Sequence, residues 1–399
     1  MKKSNGTRAH AGRPPGSKSC SEGRLTDCHG PRADGLRVTE LKLDDPRLAA
    51  FIAAHPQGTV YHHPAWLQTL RAEYKRGIVI LACESRDGNL AGIFPLMKTR
   101  GFPLSIFGEL AKARLTSLPR TPIAGPLAVD QKAYCLLLRA AIDIVREEPG
   151  VRLQIKTEGP FLDGLIEGLS GVPWRKSFVL PLPEDPKELR IGKPGESRRQ
   201  IRANLKRAES LGIRVRQAES EGDIRRWYGI YLRTMRRIVV PPRSLRCFLA
   251  MWRQMEPLGL MKVMLAERQH EGKIELLAGS IFLMHGKRFF FAFSACPSEY
   301  FPLRPNDLIH WEAIHWAANN GFHEYNMGEV PDEAPQLGFY KAKWGGEERS
   351  LHRYYFPEMV SKSLEPSVLS SRQKLFEKAW RRLPLELTAF LGDLIYSYL

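Results

Sequence analysis

The stretch Arg304-Pro305-Asn306-Asp307-Leu308-Ile309-His310-Trp311-Glu312-Ala313-Ile314-His315-Trp316-Ala317 is followed, about two dozen residues on, by Tyr340-Lys341-Ala342-Lys343-Trp344-Gly345-Gly346-Glu347. Pro305 stops any earlier helix start, Asn306 is a good N-cap, and Gly321 ends the segment, so the first piece predicts a helix from Asp307. Leu308, Trp311, Ile314 and Ala318 share one face, which packs that helix on a sheet. Glu324 to Met327 reads as the next strand. A helix buried between strands points to an α/β (α+β) fold. Glu312 and His315 are three apart and could touch, but a structural pair is the reading we assign them.

The second piece reads as a turn with a short helix over 339–344. Tyr340 and Trp344 then share an inward face, and Lys341 falls over Gly345, where no side chain blocks approach. Lys343 must project elsewhere, so one lysine is expected in a cleft and the other in solvent. An ammonium in a partly dry cleft would stabilise the oxyanion formed when an amine attacks an ester carbonyl. In isolation the stretch reads as an ordinary surface turn, and its position after the 324–327 strand is what brings the functional reading level with that one.

Working outward, Ser197-Arg198-Arg199-Gln200-Ile201-Arg202-Ala203-Asn204-Leu205-Lys206-Arg207-Ala208 predicts a helix ending at Gly212. Arg198, Arg202 and Lys206 stand at i, i+4 and i+8 and form a cationic stripe suited to phosphates. Helices are expected over 223–236 and 243–255, and strands over 260–267, 274–284 and 288–295, with Gly286 turning the last two into a hairpin. Leu351 to Phe356 is the closing strand. The first half is a looser version of the same order. A helix opens at His62-His63-Pro64, strands are expected over 78–83, 90–97, 122–129 and 151–156, and a helix over 132–146.

The 399 residues are expected to form two ordinary domains, over 36–180 and 181–356, joined near the Pro-rich stretch 181–194. Residues 1–35 are rich in Gly, Pro, Ser and basic residues and are expected to be disordered. Residues 357–399 form a tail, in which Leu375, Phe376, Ala379, Trp380 and Leu383, then Leu387, Phe390, Leu391 and Leu394, mark amphipathic helices. A net charge of +17 favours anionic partners. Six scattered cysteines without a CxxC pair suggest neither a metal site nor a disulfide framework, and fit reduced thiols in the cytoplasm. No signal peptide or spanning segment is expected.

The opening His63-Pro64-Ala65-Trp66, the arginine-rich helix, Asn306 to Ala317 and Tyr340 to Glu347 together resemble the Fem family, a branch of the GNAT acetyltransferase superfamily. Its members move amino acids from aminoacyl-tRNA onto peptidoglycan precursors, and related members accompany exopolysaccharide pathways. The resemblance implies two tandem GNAT-like domains with mixed sheets flanked by helices around a cleft. It implies an aminoacyl or acyl donor, an amine acceptor on an anionic cell-envelope precursor, and no resident cofactor or metal. Lys341 and Lys343 are then the catalytic candidates. Arg198, Arg202, Lys206, Arg304 and Tyr340 are the substrate-binding ones. The donor is aminoacyl-tRNA or acyl-CoA. The long helical arm with which some members grip tRNA is missing. The connection Cys296-Pro297-Ser298-Glu299-Tyr300-Phe301-Pro302-Leu303-Arg304 has no glycine and two prolines, which counts against a CoA pyrophosphate cradle. The alternatives are an acyl-CoA-dependent N- or O-acyltransferase of polysaccharide synthesis and a non-catalytic RNA- or membrane-binding module. The tail is expected to dock on the body, with peripheral contact at the inner membrane surface as the second reading.

Overall fold

The computed structural model describes residues 35–101, 112–357 and 371–398. The expected disordered arm lies outside these residues, apart from Gly35. The first half contains β1 (Arg37–Glu40), α1 (Pro46–Ala54), α2 (Pro64–Tyr74), β2 (Val79–Glu84), β3 (Leu90–Thr99), β4 (Arg114–Thr116), β5 (Leu127–Ala128), α3 (Gln131–Arg146), β6 (Arg152–Glu158) and β7 (Ser170–Pro181). The second contains α4 (Glu196–Ser210), β8 (Arg214–Gln217), α5 (Glu221–Arg237), α6 (Leu245–Met255), β9 (Met261–His270), β10 (Lys273–His285), β11 (Arg288–Ala295), α7 (Pro305–Asn319), β12 (Glu324–Val330), α8 (Pro335–Lys343) and β13 (Glu347–Phe356). Two tail helices follow, α9 (Ser371–Trp380) and α10 (Leu385–Tyr396).

The strands form one continuous mixed sheet in the order β1-β2-β3-β4-β6-β13-β7-β12-β11-β10-β9-β8, with β5 beside β3. Read inward from the two edges, β1-β2-β3-β4-β6 and β8-β9-β10-β11-β12 are one order repeated. In each repeat the innermost pair is parallel, β4 with β6 and β11 with β12, because a helix (α3 or α7) carries the chain across between them. The fold is thus a duplicated one. The central strands are exchanged: β7, which ends the first half, pairs with β12, while β13 pairs with β6.

Alternation within the strands sorts their side chains to two faces. Leu81, Cys83, Phe94 and Leu96 pack under α3. Ile80, Ala82, Ile93 and Met97 point the other way, into a core shared with α1, α2, α5 and α6. In the second half Phe282, Phe289, Tyr325 and Met327 face α4 and α7. The two lobes are clamped where Arg243 meets Glu73 at 2.6 Å, both buried, with the Trp66 and Phe293 rings beside the guanidinium.

Several expectations need correction. The strand expected over 122–129 shrinks to the two residues of β5, since Pro122 and Pro126 have no N–H for a ladder and the Ala124 N–H bonds to the Lys156 carbonyl instead. Strand β7 was not foreseen, because Gly171 and Pro173 break its pattern. The glycine is needed, for a Cβ there would meet the Tyr354 ring at 2.5 Å. Pro173 sits beside a register shift against β13. Helix α7 starts at Pro305, after Arg304 in a left-handed conformation (φ 63°), so Asn306 lies inside the first turn and is no cap. Of the face expected on α7, Leu308, Ile314 and Ala318 are buried, joined by Ile309, Ala313 and Ala317, and only Trp311 is partly covered. Glu312 and His315 are exposed, so the structural pair assigned to them is not a buried one.

Candidate active site at the strand divergence

Strands β11 and β12 pair only from Arg288↔Glu324 to Phe290↔Asn326 and then part. At that point Asn326 Oδ1 accepts the Gly328 N–H at 2.8 Å, and Gly328 takes φ 77°. An Asn side chain closing on the backbone two residues on, with a glycine to supply positive φ, makes a local bulge. The register against β7 shifts there. The bulge turns the carbonyls of Gly328 and Glu329 toward α8.

Helix α8 supplies Lys341. Gly338, one turn earlier, faces the Phe178 ring, where a Cβ would make only ordinary contact at 3.4 Å. Lys341 is 4% exposed, and its Nζ donates to the Gly328 and Glu329 carbonyls, both at 2.9 Å. The lysine therefore does not stand free in a cleft; two of its three nitrogen positions are committed. The third remains, a donor when the group is charged and a lone pair when it is neutral. Burial lowers its pKa from 10.5 to about 7, so both forms are accessible near neutrality. Beyond the bulge, the Glu329 carboxylate is held by Arg175 at 3.0 Å.

Lys343 is not the solvent-facing partner expected from its spacing. Its side chain lies over the Tyr340 ring, 4.9 Å from the centroid, and 3.9 Å from the Asp307 carboxylate. Asp307 is buried and accepts from Asn204 of α4 at 2.8 Å and from the Tyr340 hydroxyl at 3.0 Å. One carboxylate thus ties α4, α7 and α8 together. Burial and Asp307 push the Tyr340 hydroxyl well above its ordinary pKa, so it stays a donor. Tyr340 positions the helix; its hydroxyl is spent on Asp307. Beside it, His310 Nδ1 lies 2.7 Å from the Tyr325 hydroxyl, and burial followed by Lys341 and Lys343 lowers the imidazole to about 3. His310 is neutral and structural.

Arg198 and Arg202 do meet at a concavity. With Arg190, Ile191, Leu205 and Trp311 they line an open basin of about 500 Å3. Arg198 donates to the Ile191 carbonyl at 3.1 Å, while Arg202 is exposed at its rim. The loop forming one wall bonds to the end of α8, Lys193 N–H to the Lys343 carbonyl at 3.0 Å. Lys206 and Arg304 are exposed but do not line this basin.

The matching divergence in the first half is stitched shut. Beyond the β4–β6 pairs, the Ser117 N–H donates to the Gln154 carbonyl, the Lys156 N–H to Ser117 Oγ, the Ala124 N–H to the Lys156 carbonyl, and Lys156 Nζ to the Leu118 carbonyl at 2.6 Å. What is left is a cavity of about 100 Å3 bordered by His62, Lys156, Glu158 and Arg288. That is about a fifth of the volume of the basin in the second half.

Sequence reasoning missed Gly328, Asn326, Asp307 and Asn204. The pattern Asn-x-Gly at the end of the 324–327 strand was the one available signal for the bulge. Asp307 sat in plain view at a helix start, where a carboxylate is ordinarily read as a dipole partner.

Residues 195–341 match the acetyltransferase (GNAT) domain family. A comparison with curated proteins finds no match. Among solved structures, the chain resembles FemX with a TM-score of 0.62 at 14% identity, over 80% of this chain and 98% of that one. It also resembles L-PGS from Bacillus licheniformis, with a TM-score of 0.51 at 12% identity over 88% of this chain and 96% of that one. A protein of unknown function from Bacteroides thetaiotaomicron VPI-5482 gives a TM-score of 0.52 at 11% identity, over 80% and 99%. The chain is therefore an acyltransferase that carries a GNAT domain over residues 195–341 within a fold of the Fem-like kind.

Proposed function

We propose that this chain forms an amide, moving an aminoacyl or acyl group from an activated ester onto an amine of a cell-envelope precursor at the β11–β12 divergence. The observation that carries the reading is Lys341, whose amine stands in that gap with one position unspent and a pKa near neutrality. The acceptor amine attacks the ester carbonyl, a C–N bond forms, and the tetrahedral centre carries N–H+ and O−. Neutral Lys341 takes the surplus proton and returns it to the departing oxygen as the C–O bond breaks. Group and proton balance without an oxidant or reductant. Aminolysis of an ester is downhill, so alignment and one proton relay are what the protein must supply.

The basin of Arg190, Arg198 and Arg202 suits the phosphates of a nucleotide-bearing substrate. The Fem-like resemblance of the motifs favours an aminoacyl donor, and the fold similarity to FemX is in keeping with it. The 296–304 connection favours it too. The Tyr300 N–H donates to the Pro297 carbonyl and the Arg304 N–H to the Phe301 carbonyl, leaving few amides for a pyrophosphate. Aminoacyl-tRNA is thus favoured over acyl-CoA, with an anionic peptidoglycan or exopolysaccharide precursor as acceptor. The four described cysteines are free and buried, which suits a reducing cytoplasmic setting. Among the described residues no helix is long and apolar enough to cross a membrane.

Mass spectrometry of envelope precursors incubated with the protein and charged tRNA tests the reading. An aminoacylated precursor that disappears on ribonuclease treatment supports it. A product that requires an acyl-CoA and ignores ribonuclease favours the thioester donor. No product with either donor class overturns it.

A further inference from the structure

Helix α10 is held along one side and bare along the other. Thr388, Gly392 and Tyr396 are buried against the body. A Cβ at Gly392 would sit 2.4 Å from the Pro242 carbonyl oxygen, so glycine is what permits the close approach. The Tyr396 ring enters the inter-lobe core, with the Arg120 and Arg243 guanidinium groups 5.0 and 5.6 Å from its centroid. Asp393 pairs with Arg246 at 2.9 Å, and the Ser397 carbonyl accepts from Arg76. The rotation of the helix about its axis is therefore fixed.

That fixed rotation presents Leu387, Phe390 and Leu394 outward, 41%, 65% and 45% exposed. Helix α9 adds Leu375 and Phe376, 69% and 59% exposed. Five of the thirteen large exposed apolar side chains among the described residues thus fall within positions 375–394, on two consecutive helices. Cations border it. Lys378 and Arg382 are exposed, and Arg381 and Arg236 anchor on the carbonyls of Arg237 and Leu383. Of the three acids among the described tail residues 371–398, Glu377 and Asp393 are already paired with Arg381 and Arg246, leaving Glu386.

We propose that the outward face of α9 and α10 docks on an anionic phospholipid bilayer, its apolar side chains entering the headgroup–acyl boundary and its arginines meeting lipid phosphates. A second copy is disfavoured as the occupant, because self-pairing would bring Lys378, Arg381 and Arg382 against their own images in a chain of net charge +17. The patch is a pair of ridges backed by the body, which suits a soft planar surface. This inference does not depend on the amide-forming reading.

Flotation of the full-length protein with phosphatidylcholine vesicles, with and without phosphatidylglycerol, tests it. The wild type is expected to float with the anionic vesicles, less so as salt rises. The double variant Leu387→Glu/Phe390→Glu is expected to lose at least about tenfold in vesicle affinity while keeping its circular dichroism spectrum. Phe390→Trp guards against a misfolded double variant: its emission should shift to the blue on adding anionic vesicles. An unshifted emission, flotation unchanged by the double substitution, or a wild-type dimer that the double variant converts to monomer each overturns the proposal.

Discussion

Lys341 Nζ lies 2.9 Å from the Gly328 carbonyl oxygen, so a helix above the sheet delivers an amine to a bulge that only a glycine can form. The pH behaviour follows from that burial. The active form is the neutral amine, so log kcat for transfer should climb with pH and level off above about 7. Stability should follow the same residue. The folded-state value is depressed, so the unfolded chain binds the extra proton between about 7 and the ordinary 10.5, and stability rises with pH across that window. Urea midpoints at pH 6.5 and 8.5 check this: the advantage of wild type over Lys341→Met should grow at the higher pH. A constant difference would show that the lysine is charged throughout.

Asp307→Asn replaces an oxygen that accepts from Asn204 or Tyr340 by an amide donor, so one of the two bonds must break. A loss of ~1–3 kcal/mol in unfolding free energy is expected, since the partner left behind is buried. Because α8 carries Lys341, kcat should fall as well. Tyr340→Phe removes one donor without setting two donors face to face or taking away the charge beside Lys343, and should cost less on both measures.

Arg202 stands at the rim of the basin and makes no bond that the fold requires. Arg202→Ala is expected to raise the donor KM by about tenfold, the worth of one charge-assisted phosphate contact, and to flatten its salt dependence. Steady-state kinetics at two ionic strengths would show this, with kcat little changed. An unchanged KM would move donor binding elsewhere.

The Arg243–Glu73 pair clamps the lobes at a fully buried position. Glu73→Leu alone strands a charge and should destabilise by ~3–5 kcal/mol. The double substitution Glu73→Leu/Arg243→Met should recover much of that loss. Thermal unfolding of the three proteins forms the cycle, and additive losses would contradict a coupled pair.

How much of this was visible in the residues depended on whether each was dictated locally. The amphipathic helices from Gln131, Glu196 and Glu221 and the hairpin at Gly286 were readable, because periodicity and turn chemistry act within a few residues. So was the packing of Tyr340 and Trp344. Strand β7 was not, because its extended form is imposed by β12 and β13 on either side, which overrides Gly171 and Pro173. Helical spacing correctly separated Lys341 from Lys343. It assigned the wrong surroundings to both, since the bulge carbonyls and Asp307 come from segments 12 to 36 residues away in sequence. The cationic stripe split for the same reason: the 189–191 loop forms a basin with Arg198 and Arg202 that does not reach Lys206.

The most direct test of the central claim is the single-turnover transfer rate of Lys341→Met with donor bound in advance. Loss of a positioned proton relay predicts a fall of ~10²–10⁴-fold. The donor KM and the circular dichroism spectrum should stay near wild type. A rate within about threefold of wild type, well short of what a proton relay contributes, would contradict the claim that this amine carries the proton.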